Sequence, residues 1–282
     1  MSTNCKNLLV IGLLLNYFFS SAQVMFNNGA IVHISNGGIL FADGAVKNSG
    51  EFNNAGHATI RGYFRNDATA TGGGSTGEYL VQGDWENNDV FTCDQSNVRL
   101  NGTSQLITGS QVSTFYDLTL ETANTIKTQT LDANVNHQLA LNDCELATGD
   151  NKMTVQNPVS SAVSRGIGFV SSTSTGRLIR AANSTSTYLF PTGWNNNGTV
   201  YYRPVEISPS VNDAQTFAVR MAYGDPSSEG YDVNTKAGNV IDVNTKFFHL
   251  IKQTGSTSAA DLSIYYDQNA DGVFGSIGRW QR

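Results

Sequence analysis

The sequence predicts an all-β protein, in which a right-handed parallel β-helix-like repeat region is followed by a partial antiparallel β-sandwich. Only 14% of the residues are charged, against about 25% in an average domain, and Ser, Thr, Asn and Gly carry the polarity instead. Short strands of alternating apolar and polar residues recur about every ten residues, separated by turn-forming Asn and Gly. A short phrase also repeats, which is typical of stacked structural repeats.

The repeated phrase is a glycine, any residue, a large apolar residue, any residue and an asparagine. It reads Gly44-Ala45-Val46-Lys47-Asn48, Gly50-Glu51-Phe52-Asn53-Asn54, Gly62-Tyr63-Phe64-Arg65-Asn66 and Gly83-Asp84-Trp85-Glu86-Asn87. We expect these positions to be the turn, core and ladder sites of successive rungs, because asparagine side chains can stack in ladders along a solenoid. Rungs of about 20–30 residues would divide residues 24–155 into roughly five or six turns.

Residues 23–156 form the predicted repeat domain because their strands place apolar side chains on one face. These inward positions are Val98 and Leu100, Leu118 and Leu120, Leu139 and Leu141, Cys144 and Leu146, and Met153 and Val155. An antiparallel sandwich also fits such alternation. The repeated phrase favours the β-helix.

The sequence changes character after the repeats. Residues 157–187 are rich in Ser and Thr with weak periodicity, which predicts a transition segment. Residues 188–282 contain longer alternating strands at 200–207, 216–221 and 261–266, which predict a β-sandwich-like domain. Strand-like sequence continues almost to Arg282, so we expect this domain to be incomplete and the chain to be the first part of a longer product.

The first 22 residues resemble an export signal. Lys6 supplies a positive charge, residues 8–19 are apolar, and small residues precede Gln23 at a plausible cleavage site. A membrane anchor is the alternative, but the apolar run is too short for a stable spanning helix. No second apolar run of roughly 18 residues follows. We therefore expect a secreted, extracellular protein whose mature chain has no membrane span.

Charge and cysteine content exclude several partner classes. The formal net charge is −6, which disfavours nucleic acid and anionic membrane surfaces, since both are bound by clustered Lys and Arg. Cys93 and Cys144 follow the signal; they could pair in an oxidising compartment or lie buried separately. Neither has a Cys or His neighbour at metal-ligand spacing.

Two local motifs could carry chemistry. Asp267, Asn269 and Asp271 precede Gly272 in the pattern that opens a calcium loop, where oxygen side chains at alternate positions wrap a hard cation. Position twelve is Gly278 instead of the bidentate Glu of an EF-hand, so an ordinary turn is the alternative. The Gly-x-Ser-x-Gly match at residues 73–77 precedes a strand-like run, whereas a nucleophile elbow requires a helix there.

Aromatic and titratable residues of the repeats give no catalytic set. Trp85 lies among carboxylates and could stack on a sugar, but its counterparts Phe52 and Phe64 in the repeated phrase favour a buried core position. The four histidines are scattered, without a partner at metal-binding spacing. We predict no catalytic residue and no cofactor beyond the calcium-loop candidate.

Several phrases from residue 91 onward resemble a family of large secreted surface proteins of gliding and related Bacteroidetes bacteria. The phrases are Asn101-Gly102-Thr103-Ser104-Gln105-Leu106-Ile107-Thr108-Gly109, Thr114-Phe115-Tyr116-Asp117-Leu118-Thr119-Leu120, Leu139-Ala140-Leu141-Asn142-Asp143-Cys144-Glu145-Leu146-Ala147-Thr148, Gly168-Phe169-Val170, and Tyr188-Leu189-Phe190-Pro191-Thr192-Gly193 before Tyr202-Arg203-Pro204-Val205. The resemblance implies β-solenoid and sandwich modules, which a C-terminal sorting domain routes through type IX secretion. This chain departs from that pattern because no sorting domain is recognised in it.

These observations predict a non-enzymatic, exported surface protein with a structural or adhesive role. Its expected partners are surface glycans or other cell-surface proteins. Two alternatives stay open: a β-helix enzyme acting on glycans, such as a polysaccharide lyase or glycosidase, and a calcium-dependent carbohydrate-binding module. The enzyme would need charged side chains clustered across adjacent rungs in an open groove.

Overall fold

The computed structural model describes residues 23–235 and 242–271. It confirms the predicted all-β class, since 52% of the chain is strand and 4% is helix. A parallel β-solenoid of about seven turns forms most of the structure, and antiparallel sheets follow it.

The first part of the solenoid has three strands in each rung. These strands are β1 (Met25–Asn27), β2 (Ile31–Ile34), β3 (Ile39–Ala42), β4 (Val46–Asn48), β5 (Glu51–Asn54), β6 (His57–Ile60), β7 (Phe64–Asn66), β8 (Thr71–Gly73), β9 (Glu78–Val81), β10 (Trp85–Asn87), β11 (Val90–Thr92) and β12 (Asn97–Leu100). Most of them alternate a buried and a more exposed residue, which is the pattern of a strand with one face in a core.

Later rungs merge two of these strands into longer ones. They contain β13 (Ser104–Gly109), β14 (Ser113–Leu120), β15 (Ile126–Gln129), β16 (Ala133–Ala140), β17 (Glu145–Ala147), β18 (Lys152–Val155), a 3₁₀ turn (Ser160–Ala162), β19 (Val163–Ser164), β20 (Phe169–Ser171) and β21 (Arg177–Ala182). All pairings between successive rungs named here are parallel and in register, apart from one shift between β14 and β16.

Antiparallel strands end the described part of the chain. They are β22 (Tyr188–Phe190), β23 (Gly193–Asn196), β24 (Thr199–Tyr202), β25 (Val205–Pro209), β26 (Gln215–Tyr223), β27 (Phe247–Thr254) and β28 (Ala260–Ile264), with a 3₁₀ helix (Pro226–Glu229) and one helical turn, α1 (Gln268–Asp271). β26 and β27 extend the longest solenoid sheet, while β22, β25 and β28 form a separate sheet.

The solenoid continues beyond the boundary that the sequence predicts at residue 156. β20 and β21 lie in the predicted transition segment, yet they pair in parallel with β17 and β18. The sequence does not predict β21, because Arg180 occupies an inward position of this strand, where it is fully buried. Its guanidinium donates to the carbonyls of Leu189 and Ser160, and burial lowers its pKa to about 10.

The predicted strand at residues 200–207 is two strands in different sheets. β24 ends at Tyr202 and pairs with β23, whereas β25 begins at Val205 and pairs with β22 and β28. Pro204 separates them. A proline lacks the backbone N–H that a continuous central strand would donate.

The predicted asparagine ladder is present on one edge of the solenoid. Nδ2 of Asn27 donates to Oδ1 of Asn48 at 2.8 Å, Asn48 donates to Asn66 at 2.9 Å, and Asn66 donates to Asn87 at 3.1 Å. All of these amides are buried. The second copy of the repeated phrase lies elsewhere, because β5 belongs to a different sheet from β4, β7 and β10.

Trp85 confirms the core interpretation of the apolar position in the phrase. Its side chain is fully buried, and its ring stacks on Phe64 with the centroids 4.7 Å apart. Edge-on contacts to Tyr79 and Phe91 complete this cluster. The indole N–H donates to Ser113 at 3.1 Å, so the polar end of this large side chain also has a partner. The ring is therefore unable to stack on an external sugar.

Candidate functional site

Charged residues on the outer face of the sheet that contains β4, β7 and β10 are paired across neighbouring rungs. The carboxylate of Asp67 forms ion pairs with Lys47, at 3.2 Å between nitrogen and oxygen, and with Arg65, at 2.5 Å. Arg65 also lies 3.6 Å from the carboxylate of Glu86. Partial burial alone would raise the pKa of Asp67, but hydrogen bonds from Ser49, Arg65 and Lys47 lower it below its ordinary value. This carboxylate is therefore ionised, and its negative charge is balanced by the positive side chains of its neighbours.

The outer face of the longest sheet has a second paired cluster. Arg99 lies between Glu78 and Glu121, with contacts of 3.1 and 2.6 Å. The three residues come from consecutive rungs: Glu78 lies in β9, Arg99 in β12, and Glu121 directly after β14. Two carboxylates thus share one guanidinium, which balances one of their two negative charges.

A histidine and an aspartate meet on the same sheet where the strand register shifts. The shift lies between Phe115 and Asp117, opposite β16. Nδ1 of the exposed His137 is 2.7 Å from Oδ1 of Asp117, and its ring is stacked on the half-buried Tyr116 with centroids 4.7 Å apart. Irregularities of this kind re-aim side chains and are frequent next to functional sites. An imidazole held by a carboxylate is a geometry that general acid–base catalysis uses.

The sequence did not predict this Asp117–His137–Tyr116 cluster. Asp117 and His137 lie 20 positions apart, which is one rung of the solenoid. The sequence predicts the rung length only as a range of about 20–30 residues, so His137 looks like one of several scattered histidines. A rung length at the lower end of that range is the signal that pairs His137 with Asp117.

The predicted calcium residues lie in and beside a single helical turn. The carboxylate of Asp267 accepts from the backbone N–H of Asn269 at 2.9 Å. Asp271 is buried and accepts from Arg203 through both oxygens, at 2.5 and 2.8 Å. A guanidinium on both oxygens disfavours Asp271 as a ligand of a divalent cation. Calcium binding by this segment stays a prediction.

His249 contacts the backbone of Arg203, one partner of the same ion pair, and its burial predicts a pH-dependent stability. Its Nε2 lies 2.8 Å from the backbone carbonyl of Arg203, and burial lowers its pKa to about 4. The unfolded chain takes up a proton at this position below pH ~6.5. The stability that neutral His249 contributes is therefore complete above that pH and is lost as the pH falls toward 4.

We expect His249 to account for about 3 kcal/mol of this acid destabilisation. Urea unfolding of the wild type and His249→Gln between pH 7 and about pH 4 measures it. The variant should lose less stability than the wild type over this range, and His33→Gln, which changes an exposed histidine, should follow the wild type. Parallel curves for His249→Gln and the wild type would contradict this assignment.

Both cysteines of the described chain are free and buried separately. Sγ of Cys144 contacts the carbonyls of Glu121 and Thr122 at 3.2 and 3.3 Å. Burial raises the pKa of both thiols, which makes them poor nucleophiles. They are packing residues in this structure.

Ser75, the serine of the hydrolase-like motif, is exposed in a tight turn with φ of 40° between β8 and β9. The following element is a strand, as the sequence predicts, so the turn is not a nucleophile elbow.

The part of the chain described here contains no group of three or more His, Cys, Asp or Glu residues placed to hold a metal ion. Within residues 23–235 and 242–271, no helix is long and apolar enough to cross a membrane. No known protein family, curated protein or solved structure matches the chain.

Proposed function

We propose that this chain is an exported, non-enzymatic protein with a structural or adhesive role at the cell surface. The observation that carries the proposal is the solenoid itself. Its interior is filled by stacked aromatic, aliphatic and asparagine side chains, and several outward charges are paired between rungs. Repeats stacked in this way make an extended surface that suits binding to long or repetitive partners.

The resemblance to secreted Bacteroidetes surface proteins and the signal-like first 22 residues support export. Surface glycans and other cell-surface proteins are the partners that this role implies. The abundant Ser, Thr and Asn side chains favour polar, uncharged partners, because each can donate and accept hydrogen bonds.

Protease treatment of intact cells that make the protein tests its location. An antibody against the purified protein should detect a band that disappears when intact cells are treated, while a cytoplasmic control protein persists. Deletion of the gene should then reduce adhesion of the cells to a polysaccharide-coated surface, and the wild-type gene should restore it. A band protected until the cells are lysed would contradict the proposal.

The Asp117–His137–Tyr116 cluster favours a glycan-acting enzyme as the second candidate function. In such an enzyme His137, oriented by Asp117, would move a proton to or from the sugar. The purified protein is to be incubated with acidic and neutral polysaccharides, and new reducing ends or unsaturated products are measured. Product that forms with the wild type and His33→Ala but not with His137→Ala would replace the non-enzymatic proposal.

A further inference from the structure

Three aromatic side chains meet beside the last rung of the solenoid. Trp194 of β23 lies opposite Tyr201 of β24 in a short hairpin, and Tyr223 is the last residue of β26. The rings of Trp194 and Tyr223 are stacked, with centroids 5.7 Å apart and planes 10° apart. Tyr201 contacts Tyr223 at 5.2 Å. Tyr223 is 41% exposed, and the other two rings are half-buried.

The hairpin that presents these rings is fixed to the solenoid by a buried carboxylate. Glu145 of β17 is 8% exposed; it accepts from the hydroxyl of Ser171 at 2.5 Å and from Nδ2 of Asn195 at 2.8 Å. Oδ1 of Asn195 in turn accepts from the backbone N–H of Gly198 at 2.9 Å. Asn195 therefore links the hairpin turn to the core, and the rings are held in place before any ligand arrives.

The hairpin also packs closely against the solenoid at Gly193. The ring of Phe169 in β20 lies against Gly193, where an added Cβ would come within 2.8 Å of it. A side chain at this position would push the hairpin away from the solenoid. The glycine thus allows the aromatic residues to lie directly against the last rung.

We propose that Trp194, Tyr201 and Tyr223 form a binding platform for neutral carbohydrate. This inference rests on the proposed adhesive function and names its ligand class and its site. One face of a pyranose ring carries C–H groups with partial positive charge, which are attracted to the negative face of an aromatic ring. Flat stacking on a partly exposed, rigid aromatic surface costs little conformational entropy.

Polar groups around the rings match sugar hydroxyls. Asn196 and Asn197 are exposed at the tip of the same hairpin, and an amide side chain can donate to one hydroxyl while it accepts from another. The hydrogen bond with Tyr201 raises the pKa of Tyr223. Its phenol is therefore uncharged at neutral pH and remains a hydrogen-bonding group.

Charge distinguishes a neutral glycan from the other ligands that aromatic clusters bind. The guanidinium of Arg203 lies 5.9 Å from the centre of the Tyr201 ring and already makes the cation–π contact that a cationic ligand would need there. An acidic polysaccharide would approach a chain with a formal net charge of −6 and would be repelled at low salt. An uncharged sugar avoids both costs.

Affinity electrophoresis in native gels that contain a β-glucan, a mannan, a xylan or polygalacturonate tests the proposal. We expect at least one neutral polysaccharide to retard the wild-type protein. Trp194→Ala and Tyr223→Ala should each bind about tenfold more weakly, because each loses a stacking surface. Trp194→Phe keeps an aromatic face and should retain most of the binding. Tyr63→Ala removes a similarly exposed tyrosine from an early rung and should bind like the wild type.

The outcomes separate this inference from the proposed function. Wild-type protein that no neutral polysaccharide retards, or alanine variants that bind as tightly as the wild type, would overturn the carbohydrate platform. The surface role would still be judged by protease treatment of cells and by the adhesion assay. Thermal melting of each variant verifies its fold, and the more exposed Tyr223 provides a test if Trp194→Ala fails to fold.

Discussion

Replacing Asp271 by alanine is expected to lower the free energy of unfolding by about 3–5 kcal/mol. The substitution leaves the guanidinium of Arg203 buried without its carboxylate, since both side chains are almost fully buried in the wild type. Removing one partner of a buried ion pair costs more than the pair itself contributes, because the remaining charge is still desolvated. Chemical denaturation at neutral pH measures the change.

Two further variants distinguish an ion pair from a calcium loop. The double replacement Arg203→Met with Asp271→Leu removes both charges and should recover most of the stability lost in Asp271→Ala. Asn269→Ala, in the same helical turn, should be nearly neutral. A wild-type melting midpoint that added calcium leaves unchanged would count against the calcium loop. A rise that Asp271→Ala abolishes would instead establish the calcium-dependent module.

Replacing Asn66 by leucine is expected to lower the free energy of unfolding by about 2–4 kcal/mol. Asn66 accepts from Asn48 and donates to Asn87 and to the carbonyl of Val90, at 2.9, 3.1 and 2.9 Å. Leucine has a similar size but leaves these buried groups without their partner. The ladder would therefore be interrupted in the middle of the solenoid.

Asn53→Ala is the matched control for the ladder. Asn53 lies in β5, is half-buried, and donates to Glu51 on the outside of the solenoid. Its replacement should change the free energy of unfolding by less than about 0.5 kcal/mol, as is usual for surface positions. Equal losses for Asn53→Ala and Asn66→Leu would show that burial in the ladder is not the source of the effect.

The architecture was predictable because its signals are local. Period-2 burial, turn residues and the repeated phrase each act within a few residues, and together they favour a parallel solenoid. The structure also explains why the phrase recurs unevenly. Ladder asparagines lie 21, 18 and 21 positions apart, whereas the copy at residues 50–54 belongs to a second sheet within one rung.

The end of the repeat region was less predictable, because Arg180 occupies an inward position. Its side chain is fully buried, with carbonyl partners from Ser160 and Leu189. An alternation pattern counts an arginine as outward-facing. A buried guanidinium is stable only where carbonyl groups from other parts of the chain accept its hydrogen bonds. The local sequence does not show which carbonyls will lie there.

The sequence by itself determined the all-β class, the inward positions such as Trp85 and the existence of an asparagine ladder. Only the tertiary structure decided that Asp271 meets Arg203, that Asp117 meets His137, and that Trp194 and Tyr223 stack. The physical reason is that alternation and turn chemistry arise between neighbouring residues. Contacts between rungs and between sheets depend on rung length, register and the path of long connections, which no local pattern encodes.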